Sequence, residues 1–314
     1  MINFRYHVVS LTAVFLALAI GLVVGTAALN GPVADSLRDQ LNALKKDNGN
    51  LRDQVDQYRD ETNRNQDFAS QIAPTLLGGK LAGRRVVVVA LPDTSDYASN
   101  VIAMLQVAGA TITAKVTVQD KFFDPNSGTE LLDLASQSST ATIPIEGLPL
   151  NSDGVETASA QLALALLQRP GTTQAAPGDV TSVLTAYTKQ GYLSLDEKQA
   201  KAVGGAEATV IVAGPPAVDK DAAKKSQSAV TLASQFVKNR PLVVAGDGVG
   251  DGNLVSAVRG DPTLVQHIST VDNATTVQGQ VATGLATAER MVQNKVGQYG
   301  LGAGASALVP KAAS

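Results

Sequence analysis

The chain has 314 residues, a formal net charge of -3, 44% apolar residues and 17% charged residues. This charge balance gives no sign of a basic surface that would attract nucleic-acid phosphates, so we expect no nucleic-acid partner. The chain has no Cys, which excludes disulfides, thiolate metal sites and cysteine nucleophiles.

An uncharged, mostly apolar run lies close to the amino terminus, from Val8 to Leu29. At ~1.5 Å per residue its roughly 22 positions reach about 33 Å, enough to cross the hydrocarbon core of a membrane. The run therefore predicts a transmembrane helix over residues 8–29. It is longer than the ~7 to 15 apolar residues of a secretory signal, which favours a retained anchor. Small residues from Gly25 to Ala28 leave cleavage by a signal peptidase as the alternative.

The charges beside this run predict its orientation. Arg5 precedes it and no acidic residue does. By the positive-inside rule, residues 1–7 are expected to be cytoplasmic and the rest of the chain to lie outside the cell membrane. No second run of this length follows, so we predict a single-pass protein.

Small residues recur every four positions in the run, at Ala13, Ala17, Gly21 and Gly25. They place one smooth stripe on the helix, where a second helix can approach closely. We predict that Gly21 and Gly25 lie in a dimer interface. The alternative is that small residues are simply common in membrane helices.

A second apolar pattern follows Gly31-Pro32, a pair expected to interrupt the helix. Its spacing alternates between four and three residues, which keeps one helix face toward a partner helix. We call its seven positions the heptad seam. They are Leu37, Leu41, Leu44, Asn48, Leu51, Val55 and Tyr58.

The heptad seam predicts a parallel homodimeric coiled coil over residues 33–72. Asn48 at an a position favours two strands in register, and Asp47 and Arg52 have complementary charges across a parallel pair. Pro74 and the pair Gly78-Gly79 are expected to end the helix. The alternative is a single amphipathic helix folded back on the following domain.

From residue 80 the pattern changes to short apolar runs alternating with helical segments. Helices are predicted at about 97–108, 156–168, 180–189, 220–238 and 278–294. The predicted strands are RRVVVVALPD, TITAKVTVQ, ATVIVAGPP, RPLVVAGDG and HISTVDN. This alternation is typical of an α/β domain with a largely parallel sheet, here extracytoplasmic and spanning 80–296. Residues 297–314 are rich in Gly and Ala, which predicts a flexible tail.

Carboxylates at two predicted strand ends are the candidate ligand-binding residues. Asp93 follows the first strand, and Asp247 and Asp251 lie in the loop GDGVGDGN. Parallel sheets bind ligands at this edge. The loop matches no dinucleotide, phosphate or calcium motif, so a plain strand-to-helix turn, with Asp93 capping the next helix, is the alternative. Cofactors and catalytic residues are not predicted. We expect no enzymatic activity, and an enzyme at this edge is the alternative.

Several segments resemble one family of actinobacterial envelope proteins. They are MINFRYHVVSLTAVFLALAIGLVVGT, the heptads after it, RRVVVVALPD, and the later STVDN and VGQYG. In this order, over nearly the whole chain, they are similar to the mycobacterial copper transport protein B (MctB) family. The resemblance implies a pore-forming channel that exports copper across the outer membrane. It implies no metal-binding or catalytic residues.

Two functions are therefore expected as alternatives. The first, from the resemblance, is a copper efflux or copper-resistance protein of the envelope that acts as or with a channel. The second is a membrane-anchored dimeric scaffold that docks a cell-wall or septal protein and transports nothing itself.

Overall fold

A computed structural model describes residues 4–30, 32–168, 171, 173–196, 205–238 and 240–311. The chain divides into two compact units, residues 1–65 and residues 66–314. The first unit is helical, and the second contains a seven-stranded sheet with helices.

Helix α1 spans Phe4–Asn30. Within the described residues it is the one helix long and apolar enough to cross a membrane, over Phe4–Ala27. This segment covers most of the predicted span. Gly31, expected to interrupt the helix, lies outside the described residues. Pro32 is the first residue of the next helix, where its missing N–H removes no helical hydrogen bond.

Helix α2 spans Pro32–Leu77 and contains the whole predicted coiled-coil segment. Pro74, expected to end this helix, lies inside its last turn. The helix ends just before Gly78, whose N–H donates to the Pro74 carbonyl at 2.9 Å. Gly79 then adopts a positive φ of 74°, a conformation that favours glycine. The glycine pair therefore ends α2.

In its described residues, the second unit adds seven strands and eight further α-helices to the last turns of α2. The strands β1 to β7 are Arg85–Ala90, Thr111–Val118, Leu193–Leu195, Ala208–Ala213, Leu242–Gly246, Ile268–Val271 and Gln298–Tyr299. The helices α3 to α10 are Ser95–Val107, Asp120–Phe123, Gly128–Gln137, Gly154–Leu166, Pro177–Lys189, Ala222–Val237, Leu254–Gly260 and Val277–Ala288. A π-helical turn, Glu289–Gln293, follows α10.

The strand order in the sheet is β3-β2-β1-β4-β5-β6-β7. All neighbours are parallel except β2 and β3. This confirms the predicted α/β fold with a largely parallel sheet. The chain leaves β1 toward one edge of the sheet and leaves β4 toward the other. The boundary between β1 and β4 is therefore a topological switch point, where α/β proteins commonly bind ligands.

Strand β1 is buried on both faces, as its run of valines predicts. Val87 and Val89 belong to one hydrophobic core, and Val86 and Val88 belong to the other. Successive side chains of a strand point to opposite faces, so this one strand supplies both layers.

Helices α5 and α6 pack against each other, and α6 also contacts α8. All residues of α6 except Glu156 are buried. Gly154 allows the close approach, because a Cβ there would overlap the carbonyl of Gly128 at the start of α5. Helix α5, with the sequence GTELLDLASQ, was not predicted.

The compact α/β unit begins before residue 80, the predicted start of the domain. Ala73 and Leu77 of α2, together with Leu81, are buried in the same core as Val86 and Val88. The last turns of α2 therefore belong to the domain by packing.

The structure differs from the predicted flexible tail over residues 297–311. Gln298 and Tyr299 form β7 and pair with β6. Glycine-rich composition predicts mobility, but contacts with residues distant in sequence hold this segment. The responsible side chains are those of Asp272 and Arg259.

Candidate functional site

A cleft of about 440 Å³ lies at the carboxyl edge of the sheet, at the switch point between β1 and β4. Its walls come from the loops after these strands, residues 91–93 and 213–219, and from Asp120, Phe123 and residues of α8. A cleft in this place is the usual ligand position in this class of fold.

Lys225 of α8 holds two carboxylates together at the cleft. Its Nζ lies 2.7 Å from Oδ2 of Asp120 and 2.7 Å from Oδ2 of Asp219. The Lys225 side chain is 13% exposed, whereas both carboxylates are more open to water. The three groups tie α4, the loop after β4 and α8 together. We call them the Lys225 clamp.

The hydrogen bonds of the Lys225 clamp shift the pKa values of Lys225 and Asp219. Those from Lys225 to Asp120 and Asp219 raise the pKa of Lys225. The hydrogen bond from Lys225, and then the backbone N–H of Asp221, lower the pKa of Asp219. The contribution of Asp219 to stability is thus present above about pH 4 and lost on acidification. That of Lys225 is present below about pH 10 and lost above its raised pKa. At neutral pH the ammonium group is paired and is no free base or nucleophile.

Two of the three predicted ligand residues lie near Tyr97. The carboxylates of Asp93 and Asp247 both act on Tyr97, whose pKa is raised mainly by burial and then by these two charges. The Tyr97 hydroxyl donates to the carbonyl of Ala213 at 2.7 Å. Asp93 lines the cleft and has a positive φ of 61°. The sheet edge thus brings together residues that are distant in sequence.

The third predicted residue, Asp251, is exposed and lies outside the cleft lining. Its loop connects β5 to α9, as the sequence predicts. Asn253 caps α9 by accepting the N–H of Val255 at 2.8 Å. Asp247 accepts a hydrogen bond from Thr275 at 3.0 Å.

The described residues contain no group of three or more His, Asp or Glu side chains placed to hold a metal ion. His267 borders a separate surface cavity with Asp261 and Lys238. Met104 and Met291 pack against a hydrophobic core.

Sequence reasoning missed a buried ion pair at the end of β6. Nη1 of Arg259 lies 2.8 Å from Oδ2 of Asp272, and the two side chains are 6% and 2% exposed. Asp272 accepts the N–H groups of Leu301 and Gly302 at 2.8 and 2.9 Å. Arg259 donates to the carbonyl of Tyr299 at 2.7 Å. This pair fixes the carboxyl-terminal segment to the sheet.

The predicted dimer-interface residues lie on α1 and α2. The six apolar members of the heptad seam are exposed in the single chain. Added Cβ atoms at Gly21 and Gly25 would meet nothing within 4 Å. Both surfaces are open to a partner, and the dimer itself stays a prediction.

Comparison with known proteins identifies the family. The family model described as "Copper transport outer membrane protein, MctB" matches residues 1–310. The chain belongs to the MctB family. This confirms the resemblance seen in the sequence.

Curated members of the MctB family match over almost their full length. Proteins named copper transporter MctB from Mycobacterium tuberculosis (strain H37Rv) and Mycobacterium bovis are each 29% identical over 97% of this chain and 98% of their own length. The protein of the same name from Mycobacterium leprae is 29% identical over 98% of this chain and 99% of its own. These relatives are named as transporters and not as enzymes, which agrees with the expected absence of catalysis. The family description and the apolar helix indicate a membrane-anchored envelope protein.

Proposed function

We propose that this protein takes part in copper transport at the cell envelope. The observation that carries the proposal is the family match over residues 1–310, with relatives named as copper transporters that align along the whole chain. Copper is the transported ion here and not a resident cofactor.

The form that the family resemblance implies is a pore-forming channel through which copper leaves the cell. In this form the protein itself provides the path for the ion. The described residues of each chain contain one helix able to span a membrane. Several copies of the chain must therefore surround the ion path together, and the amino-terminal helix holds these copies in the membrane.

A second form is a membrane-anchored scaffold that docks an envelope protein and has no transport activity of its own. Three observations favour it: the single candidate span, the absence of a metal-ligand cluster in the described residues, and the exposed heptad seam. In this form, copper transport depends on the protein because it positions a partner.

Reconstitution separates the two forms. The purified full-length protein is placed in planar lipid bilayers, and in vesicles that contain a Cu(I)-sensitive dye. A channel is expected to give reproducible currents and dye signals. The matched control is the same preparation without residues 1–30, which lacks the anchor and should give neither. If the full-length protein behaves like this control, the channel form is wrong and the scaffold form remains.

We further propose that the helix is retained as an anchor and that the α/β domain lies outside the cell membrane. Support comes from the length of α1 and from Arg5 before it. In the Lys46→Cys variant, a membrane-impermeant maleimide should label intact spheroplasts, and the mature protein should keep the mass of its first 30 residues. Labelling only after lysis would show the opposite orientation, and a shortened protein would show cleavage.

A further inference from the structure

The heptad seam leaves an unusually apolar stripe on α2 uncovered. The exposed fractions of its six apolar residues lie between 47% and 68%. The stripe repeats with a period of seven residues, which is the period that keeps contact with another helix over several turns. A stripe of this kind needs a helical partner to be removed from water.

The charges beside the seam define which helix fits. In the heptad register with Leu41, Asn48 and Val55 at a, all four e positions are basic, whereas the g positions carry only amides and carboxylates. The e positions are Arg38, Lys45, Arg52 and Arg59, and the g positions are Gln40, Asp47, Gln54 and Glu61.

A second copy in parallel orientation places an opposite charge or a neutral amide beside the basic side chains of Lys45, Arg52 and Arg59. In a parallel pair each g residue faces the e residue of the next heptad on the other chain. Asp47 then faces Arg52, Gln40 faces Lys45, and no like charges meet. In an antiparallel pair e positions face e positions, so basic side chains would oppose one another along the whole contact.

Asn48 adds information about register. In the single chain its side-chain amide donates to the carbonyl of Leu44 in the preceding turn, at 3.0 Å. At an a position the amide of each Asn can instead pair with its twin across the seam, which favours two strands in register at some expense in stability.

We propose that the heptad seam is covered by the heptad seam of a second copy of this chain, in a parallel two-stranded coiled coil with Asn48 facing Asn48. The proposal goes beyond the copper role and does not depend on it. Gly21 and Gly25 of α1 belong to the same compact unit as the heptad seam. A Cβ at either glycine would meet no atom within 4 Å, so the α1 helices of two copies can lie side by side when their seams pair.

Cysteine scanning tests the proposal in the full-length protein in its native membrane, since the chain has no Cys of its own. Three variants, Leu37→Cys, Leu44→Cys and Leu51→Cys, are oxidised separately. Each is expected to give a disulfide-linked dimer, because equivalent d positions of a parallel in-register pair lie close enough for a disulfide. The matched control is Lys46→Cys, which lies on the opposite face and should stay monomeric.

Every other outcome overturns the proposal. Dimers from only one of the three variants would indicate an antiparallel pair. Equal dimer yields from Lys46→Cys and Leu44→Cys would mean that the seam is not the contact. Monomers from all three variants, with the protein present in the membrane, would mean that a different chain or the same chain covers the seam.

A charge exchange provides a second test in the Leu44→Cys background. Arg52→Glu places like charges against Asp47 of the partner copy and is expected to lower the dimer fraction at low salt by roughly three- to tenfold. Adding Asp47→Arg restores opposite charges and should restore the dimer. If the double variant is no better than Arg52→Glu alone, the two residues do not face each other.

Discussion

Replacing Asp272 with alanine is expected to lower the free energy of unfolding by about 3–5 kcal/mol, the usual cost of removing one partner from a buried ion pair. Asp272 and Arg259 are almost fully buried. Without the carboxylate, the guanidinium of Arg259 stays buried without its counter-charge. The N–H groups of Leu301 and Gly302, whose hydrogen bonds to Asp272 are partly buried, also lose their acceptor.

Urea unfolding followed by circular dichroism measures this change, with Asp251→Ala as the matched control. Asp251 is exposed, so its replacement should change stability by at most about 0.5 kcal/mol. Hydrogen exchange should also become faster at Leu301 and Gly302 in the Asp272 variant. Equal stability of the two variants would show that the ion pair does not hold the carboxyl-terminal segment.

Replacing Leu77 with alanine is expected to lower the free energy of unfolding by about 2–5 kcal/mol, the usual range for a leucine truncated in a packed core. Leu77 is fully buried. It packs so closely against α10 that a Cβ at Gly284 would lie 2.8 Å from its Cδ2. The neighbouring backbone of α10 is held in a regular helix and cannot fully collapse into the space left behind.

Leu76→Ala is the control for this prediction, measured by the same urea unfolding. Leu76 is adjacent in sequence but 41% exposed, so its truncation removes fewer contacts and should lower stability by less than about 1 kcal/mol. A small effect at Leu77 as well would mean that the end of α2 is not part of the folded domain.

The elements that could be predicted from the sequence are those with a strong local pattern. Four valines in succession in β1, and the β-branched runs of β4 and β5, are typical of buried parallel strands. Strands β3 and β7 have three and two residues, too few for a periodic signal. They form because the sheet edge is already present, which is a property of the whole fold.

In the candidate site, too, residues with a local sequence signal could be predicted, and residues that depend on distant parts of the chain could not. Asp93 and Asp247 could be placed at one sheet edge because the carboxyl ends of parallel strands lie together. The Lys225 clamp was missed, since a lysine in the polar run DAAKKSQ is typical of a solvated helix face. Its two partners come from other elements. The fixing of residues 297–302 was missed for a related reason: local composition predicts flexibility, but Arg259 and Asp272 act from elsewhere in the chain.

The family assignment and the apolar helix indicate a membrane-anchored envelope protein. The anchor and the heptad seam are the features that most distinguish the chain from a free α/β domain. We expect copper transport to need both.

Cell-associated copper in a strain that lacks this protein tests the central claim most directly. After growth with added copper, mass spectrometry is expected to find severalfold more copper in these cells than in the parent, and a full-length copy should restore the parental level. A copy without residues 1–30 should not restore it. Zinc content and detergent sensitivity, measured together, should stay unchanged. Unchanged copper, or an equal rise in zinc with detergent sensitivity, would contradict a role in copper transport.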